Sequence, residues 1–170
     1  MKLKHLATLT IAVTLASMLG ACASPLDRNA EEAKNRSVGL AVSPVDNGIE
    51  VTLPESVLFA FDESRLRGDT AAVIARAAVL VNRSTKPVQV NGYTDNTGTR
   101  EHNQRLSEER ADAVARALIG RGVAPGRIRT KGLASDHPVA SNDTDSGRAR
   151  NRRTEIVVVG ESVETLMGPQ

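Results

Sequence analysis

Apolar residues along this chain fall into short runs whose spacing switches between a two-residue and a three-to-four-residue period. From Gly48 to Leu53, Ile49, Val51 and Leu53 alternate with Glu50 and Thr52, the pattern of a half-buried strand. Val57, Phe59 and Phe61 alternate next, until Asp62-Glu63-Ser64 turns the chain. Ala71, Ile74, Ala78 and Val81 share one stripe, which predicts a helix over Asp69–Val81. Val88–Tyr93 predicts a strand, and Arg100–Arg121 a long helix with Leu106, Ala113, Val114, Ala117 and Leu118 on its buried face. Arg127–Lys131 predicts a short strand, and Thr154–Val159 the last and most apolar one. This order predicts an α/β, two-layer sandwich with helices packed on one face of a sheet. Gly132–Arg153 shows no helical pattern, so the last strand is expected to pair antiparallel and make the sheet mixed.

The chain before Gly48 reads differently. Lys2 and Lys4 precede an apolar run from Leu6 to Leu19, and small residues lead to Cys22, the pattern of a secretory signal over residues 1–21. That run is short for a bilayer span, which needs roughly 20 residues. Cys22 is the only cysteine, so no internal disulfide forms and its position carries the meaning. Leu19-Gly20-Ala21-Cys22 resembles a bacterial lipobox, which implies acylation of Cys22 as the new N-terminus. Ala23 in place of an Asp implies sorting to the outer membrane, facing the periplasm. Residues 22–47 are polar and broken by Ser24-Pro25, Ser43-Pro44 and Asp46-Asn47-Gly48, and read as a flexible tether with a short helix around Arg28–Arg36. A coil of roughly 24 residues spans about 27 Å on average and about 80 Å fully extended. The folded domain is expected over 48–160, with 161–170 as a tail.

Charge narrows the function. Residues 1–21 hold two lysines and no acid, so the remainder carries 20 basic and 20 acidic side chains. That balance gives no footprint for nucleic acid. Phe59, Phe61 and Tyr93 are the full aromatic set, and all three fall on the two strand-like runs that would border the loop after Tyr93.

That loop carries the candidate chemistry. Asp95 directly follows the predicted strand, and Arg110 sits four residues from both Leu106 and Val114, on or beside the buried stripe of the long helix. Asn103 projects from the same face one turn earlier. Ligands of open α/β sheets tend to bind outside the carboxyl ends of strands, which brings Asp95 and Arg110 toward one mouth. Two readings stand open on spacing alone: the residues pair privately and cap the helix start, or they receive a ligand bearing an ammonium and a carboxylate. Asp95–Gly98 is also compatible with a plain Asx-turn.

Gly92-Tyr93-Thr94-Asp95, Gly98, Asn103, Leu106-Ser107 and Arg110-Ala111 resemble the signature of the OmpA-like peptidoglycan-binding domain. Arg127-Ile128, Gly132, Pro138, Asn142, Gly147-Arg148 and Asn151-Arg152-Arg153 extend the resemblance over residues 48–160. It implies a mixed four-stranded sheet in βαβαββ order and non-catalytic binding of the meso-diaminopimelate of the peptidoglycan stem peptide. Asp95 would take the ammonium and Arg110 the carboxylate, with Phe61, Asp62, Thr94 and Leu106 as pocket neighbours. Tyr93 departs from the His common at its place. The implied partners are peptidoglycan, the outer membrane through the lipid, and periplasmic envelope proteins as a second class.

Arg148, Arg150, Arg152 and Arg153 form a basic run, read either as a solvated loop leading into the last strand or in a supporting role, orienting the Asp95 loop or meeting wall carboxylates. Catalytic patterns are sparse. His5, His102 and His137 form no HExxH or Cys–His set, and Ser56, Ser107 and Ser135 lack a nucleophile elbow. A glycosidase using Asp62 and Asp95 stays open on residue type alone. The expectation is no enzyme, no cofactor and no metal.

Overall fold

A computed structural model describes residues 25–170; the expected signal segment 1–21 and the lipidation residue Cys22 lie outside the described residues. In chain order the elements are α1 (Arg28–Ser37), β1 (Ala41–Val45), β2 (Gly48–Pro54), α2 (Glu55–Leu58), α3 (Ala71–Val81), β3 (Val88–Tyr93), α4 (Arg100–Ile119), β4 (Ile128–Gly132), α5 (Asp145–Asn151), β5 (Arg153–Val159) and α6 (Val163–Met167).

The strands form one mixed sheet in the order β1-β2-β5-β3-β4, parallel only between β3 and β4. The antiparallel last strand was expected; it fills the centre of the sheet, and six of its seven residues are buried. Val51, Leu53, Val88, Val90, Ile156 and Val158 meet Ile74, Ala77, Val81, Val114 and Leu118 of α3 and α4 in one core. The opposite face is polar: Tyr93 and Arg153 are cross-strand partners, and the guanidinium lies 3.8 Å from the Tyr93 ring centroid. Burial pushes the Tyr93 hydroxyl well above its ordinary range, helped by Glu155.

The α/β class and the layering are as expected, but the sheet has five strands, not four. β1 lies in the segment expected to be tether. It forms a hairpin with β2 through Asp46-Asn47, and its Pro44 is tolerated because β1 is an edge strand. Nor is α1 loose. Asp27 caps it, and the buried Glu31 carboxylate takes Lys34, Arg76 and Arg83 at 2.8, 2.7 and 2.6 Å. Burial opposes that charge, yet the three cations outweigh it and hold the Glu31 pKa at about 2. The packed chain therefore starts near residue 27 rather than 48.

Three further expectations are corrected. Val57–Phe61 is not a strand: Pro54 opens a single helical turn, and only Phe59 forms a bridge, to Leu66. The 132–153 connection does contain a helix, α5, capped by Thr144 on the Gly147 N–H. The expected tail 161–170 holds α6, which buries Leu166 and Met167 in the core.

Candidate functional site

The site forms where α4 settles onto the ends of β3 and β4. Gly92 and Gly132 make that approach possible, since a Cβ on either would collide with Ser107 or Glu108 of α4. The Ser107 hydroxyl, fully buried, accepts the Ala134 N–H at 3.1 Å and fixes the helix in depth. One turn further along, Arg110 projects toward α2 and is only 2% exposed.

The loop from Thr94 to Gly98 is held from within. Thr99 caps α4 on the His102 N–H, and Asn103 Nδ2 donates to the carbonyls of Asp95 and Thr97 at 3.3 and 2.9 Å. Asp95 Oδ1 accepts the Thr97 N–H at 2.8 Å, so the Asx-turn compatible with the sequence is formed. Gly98, at φ 90°, occupies a left-handed conformation suited to glycine.

Asp95 and Arg110 do not pair with each other. Asp95 Oδ2 accepts from Arg152 Nη1 at 2.7 Å, while Arg110 Nη2 donates to Glu55 Oε1 at 2.5 Å and its Nε to the Glu63 carbonyl at 2.9 Å. Arg152 Nε lies 2.7 Å from Glu55 Oε2, close enough for an ion pair, although its N–H is not aimed for a hydrogen bond and that buried oxygen accepts none. Charges thus alternate as Asp95, Arg152, Glu55, Arg110, two of each sign. Arg110 Nη1 has no hydrogen-bond partner among the described residues, and the Phe59 ring lies 5.3 Å from the guanidinium carbon.

Burial shapes each protonation state. It raises the Glu55 pKa above the usual carboxylate range despite Arg110 and Arg152. It lowers that of Arg110, against the pull of Glu55, but a guanidinium stays charged at any physiological pH. Burial also works against an ionised Asp95, but the bonds from Arg152 and Thr97 outweigh it and hold its carboxyl below the ordinary value.

These groups line a cleft of about 200 Å³ together with Phe61, Asp62, Thr94, Thr97, Gly98, His102, Asn103 and Leu106. All seven binding candidates from the sequence, Asp95, Arg110, Phe61, Asp62, Thr94, Leu106 and Asn103, meet there. Phe61 stands at the rim, 83% exposed. Asp62, at φ 58°, turns its carboxylate to His102 Nε2 at 2.6 Å. The other two aromatics do not border the cleft: Phe59 is buried behind Arg110, and Tyr93 points to the opposite face of the sheet. Glu55 and His102 were not among the expected site residues, and Arg152 was read only as one of a basic run that could support the Asp95 loop, which it does by its bond to Asp95. The arginines of the basic run part ways, since Arg152 joins the cleft, Arg153 bonds Glu155 at 2.7 Å, and Arg148 holds the Asn142 carbonyl at 2.6 Å.

A larger hollow of about 450 Å³ lies between α1, β1 and α6. Its exposed Glu32 and Arg36 pair with each other at 3.5 Å, and its Arg28 donates to the Gly168 carbonyl. Among the described residues no His, Cys, Asp and Glu cluster could hold a metal, and no helix is long and apolar enough to cross a membrane.

Comparison with known proteins agrees with this architecture. The family model described as OmpA family matches residues 58–152. The probable lipoprotein YiaD of Escherichia coli is 41% identical over 126 residues, 74% of this chain and 58% of YiaD. The peptidoglycan-binding protein ArfA of Mycobacterium tuberculosis is 58% identical over 71 residues, 42% of this chain and 22% of ArfA. The chain thus spans little more than half of the first relative and under a quarter of the second. The solved structure of the cell wall anchor of the T6SS from Pseudomonas aeruginosa superposes with a TM-score of 0.69 at 31% identity, covering 79% of this chain and 98% of that one.

Proposed function

The chain belongs to the OmpA family, and from that membership we propose that it binds peptidoglycan without catalysis, through the meso-diaminopimelate of the stem peptide, and tethers the outer membrane to the wall. The observation that carries this reading is the separation of Asp95 from Arg110 by Arg152 and Glu55. A side chain bearing both an ammonium and a carboxylate matches such a cleft, with its ammonium at Asp95 and its carboxylate at Arg110 Nη1. Thr94, Leu106 and Phe61 supply walls for the methylenes between. Charge-assisted hydrogen bonds at both ends give the site its orientation. Lys at position 110 would lack the planar fork that matches a carboxylate.

Acylated Cys22 would hold the domain at the membrane, each buried methylene adding about 0.8 kcal/mol. The docking of α1 shortens the tether on this reading. Only residues 23–27 separate Cys22 from Arg28, a reach of roughly 18 Å fully extended. The wall ligand would then be met close to the membrane surface. Names of relatives support both halves of the reading: YiaD is a probable lipoprotein, and ArfA a peptidoglycan-binding protein.

A second reading gives wall binding a protein partner, so that the domain anchors an envelope assembly. The likeness to a T6SS wall anchor over 98% of that chain favours it. Sedimentation with purified sacculi tests the wall site: the wild-type chain co-sediments, and folded Asp95→Ala and Arg110→Ala variants do not. Equal retention of those variants would contradict the site. Crosslinking in cells separates the two readings, since the second requires a recurrent protein adduct.

A further inference from the structure

We propose that Glu55 is the specificity-determining residue of the cleft: it sets the buried charge to zero, so that the cleft takes a zwitterion in preference to a simple anion. This inference rests on the wall-ligand reading above. Two arginines, Arg110 and Arg152, enter the cleft from α4 and from the α5–β5 junction. Asp95 alone would leave one positive charge uncompensated, and such a cleft favours any carboxylate that fits. Ionised Glu55 removes that excess, its charged form opposed by burial and favoured by Arg110 and Arg152 on either side. Its side chain is 7% exposed, with one oxygen on Arg110 Nη2 and the other beside Arg152 Nε.

Stability alone does not require this placement. A buried ion-pair array is often matched or exceeded by apolar packing of similar volume, and Glu55 Oε2 is buried without a hydrogen bond. The carboxylate also holds Arg110 by Nη2, so that Nη1 is the nitrogen left without a protein partner among the described residues. Asp62 also acts on Arg110 through space, but it sits at the exposed rim against His102, where solvent screens its charge, and so it does not duplicate the buried role. A ligand ammonium therefore meets Asp95, a ligand carboxylate meets Arg110, and a ligand with only the carboxylate also faces Glu55 without compensation.

The test titrates the full-length chain in detergent with a stem-peptide fragment ending in meso-diaminopimelate, and with the same peptide whose side-chain amine is replaced by hydrogen. Wild type should prefer the zwitterion, and Glu55→Gln should shrink that preference roughly tenfold by removing one nearby charge. Glu55→Gln/Arg152→Gln returns the buried count to zero and should recover the preference. An unchanged preference in Glu55→Gln, or none recovered in the double variant, overturns the proposal. If Glu55→Gln does not fold, the double variant decides, and loss of preference there overturns it. Wild type that binds neither peptide removes the wall-ligand reading and this inference with it; wild type that binds with a preference indifferent to position 55 removes only the role of Glu55.

Discussion

Asp95 Oδ2 accepts a 2.7 Å hydrogen bond from Arg152 Nη1, not from Arg110. The private salt bridge compatible with the sequence is therefore not formed, and the two ends of the cleft keep opposite charge. Arg152 and Glu55 hold them apart.

Arg152→Gln should release Asp95. Its carboxyl is held low by Arg152 and the Thr97 N–H against the opposing effect of burial. Its folded pKa is depressed, so its contribution to stability is present above the unfolded value and is lost as pH falls through the folded one. In the variant the folded pKa should rise and that acid-side contribution should shrink. Carboxyl-carbon NMR titration of Asp95 reads this directly, and an unmoved midpoint would count against the bond.

Phe61→Ala should separate binding from folding. The ring is 83% exposed at the cleft rim, so stability should change by less than about 0.5 kcal/mol. Affinity for the stem peptide should fall by about 1 kcal/mol through lost apolar contact. Paired urea melts and binding titrations check both halves. A large loss of stability with unchanged affinity would place the ring in the fold instead.

Glu31→Gln should loosen α1 and flatten the acid limb of stability. The Glu31 pKa falls from 4.5 to about 2 in the folded chain. Its stabilisation, about 3 kcal/mol by linkage, is complete above pH 4.5 and disappears as pH falls toward 2. Melting temperature against pH should therefore drop steeply over that window in wild type and less in the variant. Hydrogen exchange should show faster opening of Arg28–Ser37 in the variant.

Much of this was legible in the sequence because strong periodicity marks buried faces. Leu106, Val114 and Leu118 fixed the orientation of α4, and that in turn placed Arg110 and Asn103. What was missed lacks such periodicity. Glu55 opens a single turn that runs into the start of Val57-Phe59-Phe61, a short alternating run that reads as strand; Pro54 followed by Glu55 was the available helix-start signal. β1 carries Pro44 and little buried surface, but Asn47-Gly48 ahead of an alternating run was a hairpin signal. α5 buries only Gly147 and Asn151, so no apolar stripe announced it. Support for the Asp95 loop was one of the readings open for the basic run, but which of its four arginines gives it becomes visible only when β5 lies beside β2 and β3.

The most direct test of the central claim is calorimetric titration of the wild-type chain with a diaminopimelate-containing stem peptide and with its lysine-containing counterpart. The lysine peptide lacks the side-chain carboxylate and leaves Arg110 Nη1 without its ligand partner. Binding should be weaker by about 1–3 kcal/mol for that peptide, and the difference should vanish in folded Arg110→Ala. Equal affinity for the two peptides in the wild-type chain would contradict the account.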